Sequence, residues 1–274
     1  MNRKIRHMGE QKMKQVIFIQ RQILKIVEEF DAFCRKHNIE YCMGGGTLLG
    51  AVRHQGFIPW DDDFDVYMTR DNMEQLIRCW HSEKYDLISY KDENYYKPST
   101  PVKIHNPNFR LKEFGDDNCG YPENTNYGIF IDIFPIDSYK NTIFDRLIQK
   151  YLGKILLAKH ISKFSHKKSL FSLRLAKFIP NFLLDRTRAI VKKYLTSFPG
   201  DYVAFGHEVP FNNFFMKSNK FYPLKRYKFE DLELYGPNDY DEYLSQRFGN
   251  YEELPEAQHR RAHIIEIYER KKID

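Results

Sequence analysis

The apolar residues near the start of the chain recur at spacings of three and four. They are Val16, Ile19, Ile23, Ile26, Val27, Phe30 and Phe33. This period predicts an amphipathic helix over residues 10–36 whose apolar stripe packs against a sheet. The helix is expected to end at His37-Asn38, and the mostly apolar segment 39–43 predicts a short strand that leads into three glycines.

The pattern of apolar and polar positions up to residue 139 indicates several further short elements. A short helix is expected from Thr47 to Arg53, and a second from Arg70 to Trp80, with Thr69 or Asp71 as its cap. Strands are expected at 61–66, 86–90, 101–105 and 128–135. Residues 107–126 are rich in Asn, Asp, Gly and Pro and are therefore expected to form a loop.

The second half of the chain begins with a helical pattern. Residues 143–197 are predicted to be helical and to be divided at Pro180, because proline cannot continue a helix. A strand at 228–234 and helices at 239–248 and 256–271 are expected to follow.

These elements together predict an α+β fold with a mixed β-sheet core flanked by helices. The N-terminal amphipathic helix is expected to occupy residues 1–40 and the sheet core residues 41–139. A basic helical insertion is expected at 140–200, and a C-terminal α/β segment, 201–274, is expected to complete the site. The sequence contains no internal repeat, low-complexity tract or linker, so we expect one compact unit with an inserted helical part.

Positive charge is concentrated in the helical insertion. Residues 145–195 contain 13 Lys/Arg against 2 Asp/Glu, whereas the whole chain carries a net charge of +6, so the rest of the protein is net negative. Two interpretations stay open. The segment is either a solvated helical pair, or residues 146–193, which include apolar side chains such as Phe178 and Phe182, contact an anionic membrane or polymer precursor.

Composition favours a cytoplasmic protein that is peripheral at the inner face of the cell membrane. The sequence has no run of about 18 apolar residues, and its basic start is followed by no apolar segment typical of a secretory signal. Its four cysteines form no CxxC pair, so a reducing compartment is expected and a zinc site is not.

The candidate chemistry lies in a glycine-rich turn followed by an acidic run. Gly44, Gly45, Gly46 and Thr47 open a helix whose N–H groups can face a phosphate. In a strand, Asp61, Asp63 and Asp65 would share one face, and crowded carboxylates repel each other unless a divalent cation lies between them. Asp62 would point the opposite way and be exposed or cap the turn. This combination is typical of metal-assisted phosphoryl or nucleotidyl transfer with Mg²⁺ or Mn²⁺.

Four other polar residues are candidates with a structural alternative each. Asp132 lies in an apolar strand, where it is either satisfied by hydrogen bonds or is the third carboxylate of the metal site with Asp63 and Asp65. Arg53 can bind phosphate or be exposed, and Lys103 can offset phosphate charge or extend to solvent. His54 can carry a proton or contact phosphate, or be structural.

Two long blocks of the sequence resemble the LicD family. The first is Gly46-Thr47-Leu48-Leu49-Gly50-Ala51-Val52-Arg53-His54 followed by Gly56-Phe57-Ile58-Pro59-Trp60-Asp61-Asp62-Asp63-Phe64-Asp65. The second is Gly128-Ile129-Phe130-Ile131-Asp132-Ile133-Phe134-Pro135-Ile136-Asp137, and Tyr243-Leu244 to Leu254-Pro255 is similar to the closing block. The resemblance is weakest from Lys140 to about Phe221.

The resemblance implies a nucleotidyltransferase-like fold and a phosphotransferase activity. Such proteins move phosphocholine from CDP-choline, or a related phospho-alcohol from CDP-ribitol or CDP-glycerol, to a sugar hydroxyl. The acceptor is a teichoic acid, lipopolysaccharide or capsule precursor, which is expected to be lipid-linked. By motif, Asp63 and Asp65 bind the metal, Asp61 is a third member, Asp132 is the partner carboxylate, and Gly45, Gly46 and Thr47 belong to the donor-phosphate turn.

The expected reaction is attack of the sugar hydroxyl on the phosphorus distal to the nucleoside, which releases CMP. Two rivals remain. One is a true nucleotidyltransferase that releases pyrophosphate. The other is a nucleic-acid-binding protein that uses the basic helices, which would leave the carboxylates unexplained, so no nucleic-acid partner is expected. Choline would need an aromatic cage, for which Trp60, Tyr95, Tyr96 and Tyr127 are available.

Overall fold

The computed structural model describes residues 2–92, 100–113, 127–164, 176, 178–197, 199–209, 214–260 and 262–269. The helices are α1 (Asn2–Lys36), α2 (Gly45–His54), α3 (Arg70–Cys79), α4 (Ile143–Phe164), α5 (Asn181–Ser197), α6 (Ser218–Phe221) and α7 (Tyr240–Phe248). The strands are β1 (Cys42–Met43), β2 (Asp65–Thr69), β3 (Asp86–Ser89), β4 (Val102–His105), β5 (Phe109–Glu113), β6 (Phe130–Tyr139), β7 (Tyr202–Phe205), β8 (Met216–Lys217), β9 (Lys225–Phe229), β10 (Leu232–Gly236) and β11 (Ile264–Glu269).

The central sheet has the strand order β1-β2-β6-β4-β3, and β7 pairs with both β6 and β8. Strands β2 and β6 are parallel, and the other pairs are antiparallel. Strand β4 pairs with the first half of β6 and β7 with its second half. The predicted α+β class with a mixed sheet is therefore confirmed, and β6 is the strand that joins its parts.

Helix α1 supplies one wall of the core. Its apolar stripe is buried as predicted, with Ile19, Ile23 and Phe30 completely enclosed. The helix begins at Asn2 rather than at the predicted Glu10. The predicted cap Thr69 of α3 forms its hydrogen bond, since its side chain accepts the Asn72 N–H. Asp239, predicted as the first residue of a helix, is instead the cap of α7 and accepts the Glu242 N–H.

Helices α4 and α5 form a second, smaller core on β6 and β7. Ile148 and Leu152 of α4 pack with Val191 and Leu195 of α5 and with Tyr139 of β6. Within the described residues the expected helical pair therefore forms, and its buried residues use only one side of each helix. Residues 165–175, also predicted to be helical, lie outside the described residues.

The predicted helix 256–271 is wrong. Residues 257–259 form one 3₁₀ turn, and 264–269 form strand β11, which pairs antiparallel with β5. A bulge between Ile264 and Glu266 shifts the register of this pair. It brings Ile264 and Ile267 toward the core together, and their spacing of three imitates a helical period.

Three further predictions need correction. Residues 109–113, expected to be loop, form β5, while 114–126 lie outside the described residues. The acidic run is not a strand throughout, because β2 begins only at Asp65. Helix α2 begins at Gly45, two residues before the predicted Thr47.

Candidate active site

Three neighbouring strands bring two carboxylates and one ammonium group together. Asp65 of β2 is the register partner of Asp132 of β6, which is in turn the partner of Lys103 of β4. Register partners project from the same face of a sheet. The buried Lys103 ammonium forms an ion pair with the Asp132 carboxylate. The predicted phosphate-binding Lys103 therefore lies against a predicted metal-binding carboxylate.

The rest of the acidic run forms a turn that leads into β2. The Asp61 N–H donates to the Ile58 carbonyl at 2.9 Å. The Gln20 side-chain amide of α1 donates to the carbonyl oxygens of Ile58 and Asp61 at 3.1 and 2.7 Å. These bonds fix the backbone of the turn, so that Asp61 and Asp63 lie next to Asp65 although they are not in its strand.

The N-terminus of α2 lies directly against these carboxylates. A Cβ atom on Gly45 would lie 2.4 Å from Asp65 Oδ2, and one on Gly46 would lie 2.7 Å from Asp61 Oδ2. Gly45 also has a φ of +49°, which favours glycine. The two glycines therefore let the carboxylates approach the helix backbone, in addition to the phosphate-binding role predicted for them.

Hydrogen bonds hold α2 and β2 in this arrangement. The Thr47 hydroxyl accepts the Asp65 N–H at 2.8 Å, and the Tyr243 hydroxyl of α7 accepts the Gly45 N–H at 2.9 Å. The hydroxyls of Tyr243 and Tyr67 are 2.7 Å apart. Thr47 thus positions the backbone of Asp65, and its predicted phosphate contact stays a prediction.

The carboxylates strongly affect one another's ionisation. Burial, followed by repulsion from Asp63, raises the pKa of Asp61 well above its usual range. Burial, followed by Asp63 and Asp132, does the same to the pKa of Asp65. Half-enclosed oxygen donors that repel each other are the setting in which a divalent cation binds. The donor set therefore fits Mg²⁺ or Mn²⁺.

One histidine that the sequence analysis did not single out completes the cluster. His263 Nδ1 lies 2.9 Å from Asp63 Oδ2 and 3.8 Å from Asp61 Oδ1. The hydrogen bond to Asp63, the main cause, raises the pKa of His263 to about 10. No local sequence signal identifies this residue, because it is 200 positions from Asp63 and lies in a segment predicted to be helical.

Asp62 is buried rather than exposed, contrary to the prediction, and it does not cap the turn. Its two oxygens accept the N–H groups of His263 and Ile264 at 2.7 and 2.9 Å, and its Oδ1 lies 3.9 Å from His263 Nδ1. These bonds replace the water that the carboxylate loses on burial.

Arg53 and His54 of α2 lie toward the C-terminal segment. Arg53 Nη1 donates to the Tyr251 carbonyl at 2.8 Å, and Arg53 Nε donates to His54 Nε2 at 3.1 Å. Burial and the neighbouring Arg260 lower the pKa of Arg53, and burial and Arg53 lower that of His54. Arg53 thus anchors the closing block, and the phosphate contacts predicted for both residues stay predictions.

Two of the aromatic residues considered for a choline cage already face a cation. The Arg260 guanidinium lies 5.0 Å from the centre of the Trp60 ring, and the Lys103 ammonium lies 5.1 Å from that of Tyr127. The other two, Tyr95 and Tyr96, lie outside the described residues.

A second buried cluster lies at the opposite end of β2 and β6. Arg70 Nε and Nη2 each donate to Asp137 at 2.6 Å, while Nη1 and Nη2 donate to Glu208 at 2.9 and 2.8 Å. His207 Nδ1 lies 3.2 Å from Arg70 Nη2. Asp137, His207 and Glu208 have the donor spacing of a metal site, but the Arg70 guanidinium supplies the positive charge among them.

Comparison with known proteins agrees with the sequence blocks. A family model described as "LicD/FKTN/FKRP, nucleotidyltransferase domain" matches residues 38–180. The chain belongs to the LicD family. The matched residues include the glycine turn, the acidic run, Lys103 and Asp132, whereas His263 lies beyond them.

The individual relatives that match this chain differ in how much of it they cover. The lipopolysaccharide cholinephosphotransferase LicD of Haemophilus influenzae is 26% identical in an alignment of 268 positions, gaps included, that covers 93% of this chain and 98% of the relative. An uncharacterized protein of Rickettsia typhi is 24% identical over 79% of this chain and 42% of its own length. None of the helices in the described ranges is long and apolar enough to cross a membrane.

Proposed function

We propose that this LicD-family chain transfers phosphocholine from CDP-choline to a sugar hydroxyl of a cell-surface glycan precursor and releases CMP. The similarity to the Haemophilus influenzae cholinephosphotransferase over nearly the full length of both chains supports this reaction. By analogy with that relative the acceptor is a lipopolysaccharide precursor, and a teichoic acid or capsule precursor is the alternative. CDP-ribitol and CDP-glycerol are the alternative donors.

The observation that carries the proposal is the meeting of Asp61, Asp65 and Asp132 beside the N-terminus of α2. A divalent cation, when bound, would offset the negative charge of the donor diphosphate and of the leaving CMP. Asp63 and Asp65 would bind this cation. The N–H groups of Gly46 and Thr47 would face the donor phosphates, because the first turn of a helix has donors without intrahelical acceptors and the Gly45 N–H already donates to Tyr243.

The proposed transfer breaks one P–O bond and forms another. The sugar oxygen attacks the phosphorus that carries choline, and the oxygen that bridged the two phosphorus atoms leaves with CMP. Asp132, or alternatively Asp61, accepts the hydroxyl proton. Lys103, by its ion pair, keeps the Asp132 carboxylate turned toward the site.

Product analysis of the purified chain tests this proposal. With CDP-choline, Mg²⁺ and a glycan acceptor, we expect CMP and a phosphocholine-modified glycan. Release of pyrophosphate with transfer of the nucleotide would instead support the true nucleotidyltransferase.

The cation-binding role of Asp63 has a matched test. Asp63→Asn should abolish CMP release while leaving the thermal unfolding temperature near that of the wild type. Asp71→Asn, at an exposed carboxylate in the first turn of α3, should keep full turnover. Near-normal turnover of Asp63→Asn would disprove the assignment.

We further propose that α4 and α5 contact an anionic membrane, where a lipid-linked acceptor would lie. One apolar strip on this pair stays outside the small core. Its members, which are between 39% and 62% exposed, are Phe144, Leu147, Tyr151 and Ile155 of α4 and Leu183 and Ile190 of α5. The rings of Phe144 and Tyr194 lie 5.4 Å apart, and helical spacing aligns Leu183, Ile190 and Tyr194 on one side of α5.

Cations accompany this strip along α4. Arg146, Lys150 and Lys154 are exposed and recur every fourth residue, so they form a row beside the apolar one. An apolar strip bordered by a cationic row is typical of helices that lie in the interface of an anionic bilayer.

Vesicle flotation tests the membrane contact. The wild type should float with vesicles containing phosphatidylglycerol and much less with pure phosphatidylcholine vesicles. The double variant Leu147→Asp/Ile155→Asp should lose this binding, whereas Ile17→Asp, at a similarly exposed position of α1, should keep it. Equal binding to both vesicle types, or a gel shift with nucleic acid in place of flotation, would contradict the proposal.

A further inference from the structure

The C-terminal strand is attached to the acidic run by Asp62. This buried carboxylate accepts the N–H groups of two successive residues, His263 and Ile264, at 2.7 and 2.9 Å. Ile264 is enclosed in the core, and β11 beyond it pairs with β5. The Asp62 carboxylate and the pairing of β11 with β5 therefore both fix the backbone at residue 263, which restricts the direction of the His263 side chain.

This restriction brings the His263 ring to Asp61 and Asp63. Nδ1 is 2.9 Å from Asp63 Oδ2 and 3.8 Å from Asp61 Oδ1, and the donor atoms of the three residues lie within 4.8 Å of one another. With metal–ligand bonds of about 2.1 Å, neighbouring ligands in an octahedral shell are about 3 Å apart and opposite ones about 4.2 Å. The two distances of Nδ1 fall within this range.

Asp132 is less suited to be a ligand than the sequence suggests. Its carboxylate already forms an ion pair with the Lys103 ammonium, which offsets the negative charge that a cation would otherwise neutralise. Asp61 and Asp63 have no lysine or arginine ion-pair partner among the described residues, and His263 is the only described cation within 4 Å of either carboxylate.

We propose that His263 is a further ligand of the divalent cation assigned above to Asp63 and Asp65, that Asp61 joins it there, and that Asp62 is the positioning residue that holds His263 in place. Nδ1 would exchange its proton, now shared with Asp63, for the metal, and the proton would pass to solvent, to which the 60% exposed side chain is open. A nitrogen ligand shifts the preference of a carboxylate site from Mg²⁺ toward Mn²⁺. This inference deepens the proposed function and rests on its requirement for a cation.

Pulsed EPR on the full chain loaded with Mn²⁺ tests the ligand directly. The wild type should show the ¹⁴N coupling of a coordinated imidazole. His263→Ala should lose this coupling and bind Mn²⁺ roughly 10- to 100-fold more weakly, while His259→Ala, four positions earlier and exposed, should keep both. No coupling in Mn²⁺-loaded wild type, or its persistence in His263→Ala, would overturn the proposal.

Two further variants distinguish the nature of the ligand atom at residue 263 from the positioning of that residue by Asp62. His263→Asp should bind both metals but lose the preference for Mn²⁺ over Mg²⁺. Asp62→Asn keeps one acceptor oxygen for the two N–H groups, and we expect it to weaken the ¹⁴N coupling while Mn²⁺ still binds through Asp61 and Asp63. An unchanged coupling in folded Asp62→Asn would exclude the positioning role.

The proposed function and this inference fail in different experiments. Imidazole coupling to Mn²⁺ without CMP release from any CDP-alcohol would refute the transfer and leave the ligand in place. CMP release by His263→Ala at the wild-type rate, with unchanged Mn²⁺ affinity, would refute the ligand and leave the transfer.

Discussion

Gly46→Ala would separate the geometry of the site from the stability of the fold. The new Cβ would lie 2.7 Å from Asp61 Oδ2, whereas ordinary contacts begin near 3.4 Å. The carboxylate must therefore move by about 0.7 Å. It can do so by rotating its own side chain, because the contact involves the end of that side chain and not the backbone.

The expected effect on stability is small because two contributions oppose each other. Alanine in place of glycine within a helix stabilises by at most about 1 kcal/mol. Moving Asp61 away from its preferred rotamer costs about 0.5–1.5 kcal/mol. We therefore expect the free energy of unfolding to change by less than about 1 kcal/mol. A misplacement of this size at a reacting centre can nevertheless cost roughly 100-fold in rate.

CMP release and Mg²⁺ affinity measure the effect on the site, and urea unfolding measures the effect on stability. Gly46→Ala should lose 10- to 100-fold in turnover, roughly in line with that rate cost, and should unfold like the wild type. In the control Gly50→Ala, the Cβ would meet the Gly56 carbonyl oxygen at 2.4 Å. Since this backbone group cannot rotate away, the control should lose about 1–3 kcal/mol of stability. Wild-type turnover and Mg²⁺ affinity in Gly46→Ala would refute the role of Asp61.

Other predictions concern the buried ion pairs. Arg70→Met leaves Asp137 and Glu208 without their cation and should cost about 3–5 kcal/mol in urea unfolding; a cost below about 1 kcal/mol would contradict this account. Burial acts to raise the pKa of Glu208, but Arg70 outweighs it and lowers that pKa from 4.5 to about 2. Because the folded-state pKa is depressed, the resulting stability is complete above about pH 4.5 and is lost as pH falls toward 2. In Glu208→Gln, the unfolding temperature should therefore depend less on pH between about 2 and 4.5. Without Mg²⁺, Lys103→Met should have a lower unfolding temperature than the wild type. Added Mg²⁺ should raise the unfolding temperature of the variant more than that of the wild type, because a cation would then replace the missing ammonium beside Asp132. An equal effect of Mg²⁺ on both proteins would count against a cation near Asp132.

Local sequence features determined the elements that carry the site. The stripe of α1, the cap residue Thr69, and the apolar run around Asp132 depend on spacing and residue type within one element. Such features are visible in the sequence because backbone period and capping act over a few residues. The glycine turn and the acidic run indicated phosphate and metal chemistry for the same reason.

Only the tertiary structure decided which partners these residues have. Lys103 meets Asp132 because of the register between β4 and β6, and a shift by one residue would turn it to the other face. His263 reaches Asp63 because the β11–β5 pair and the buried Asp62 bring two segments 200 positions apart together. Contacts of this kind depend on the packing of distant segments, which leaves no periodic signal in the sequence around either residue.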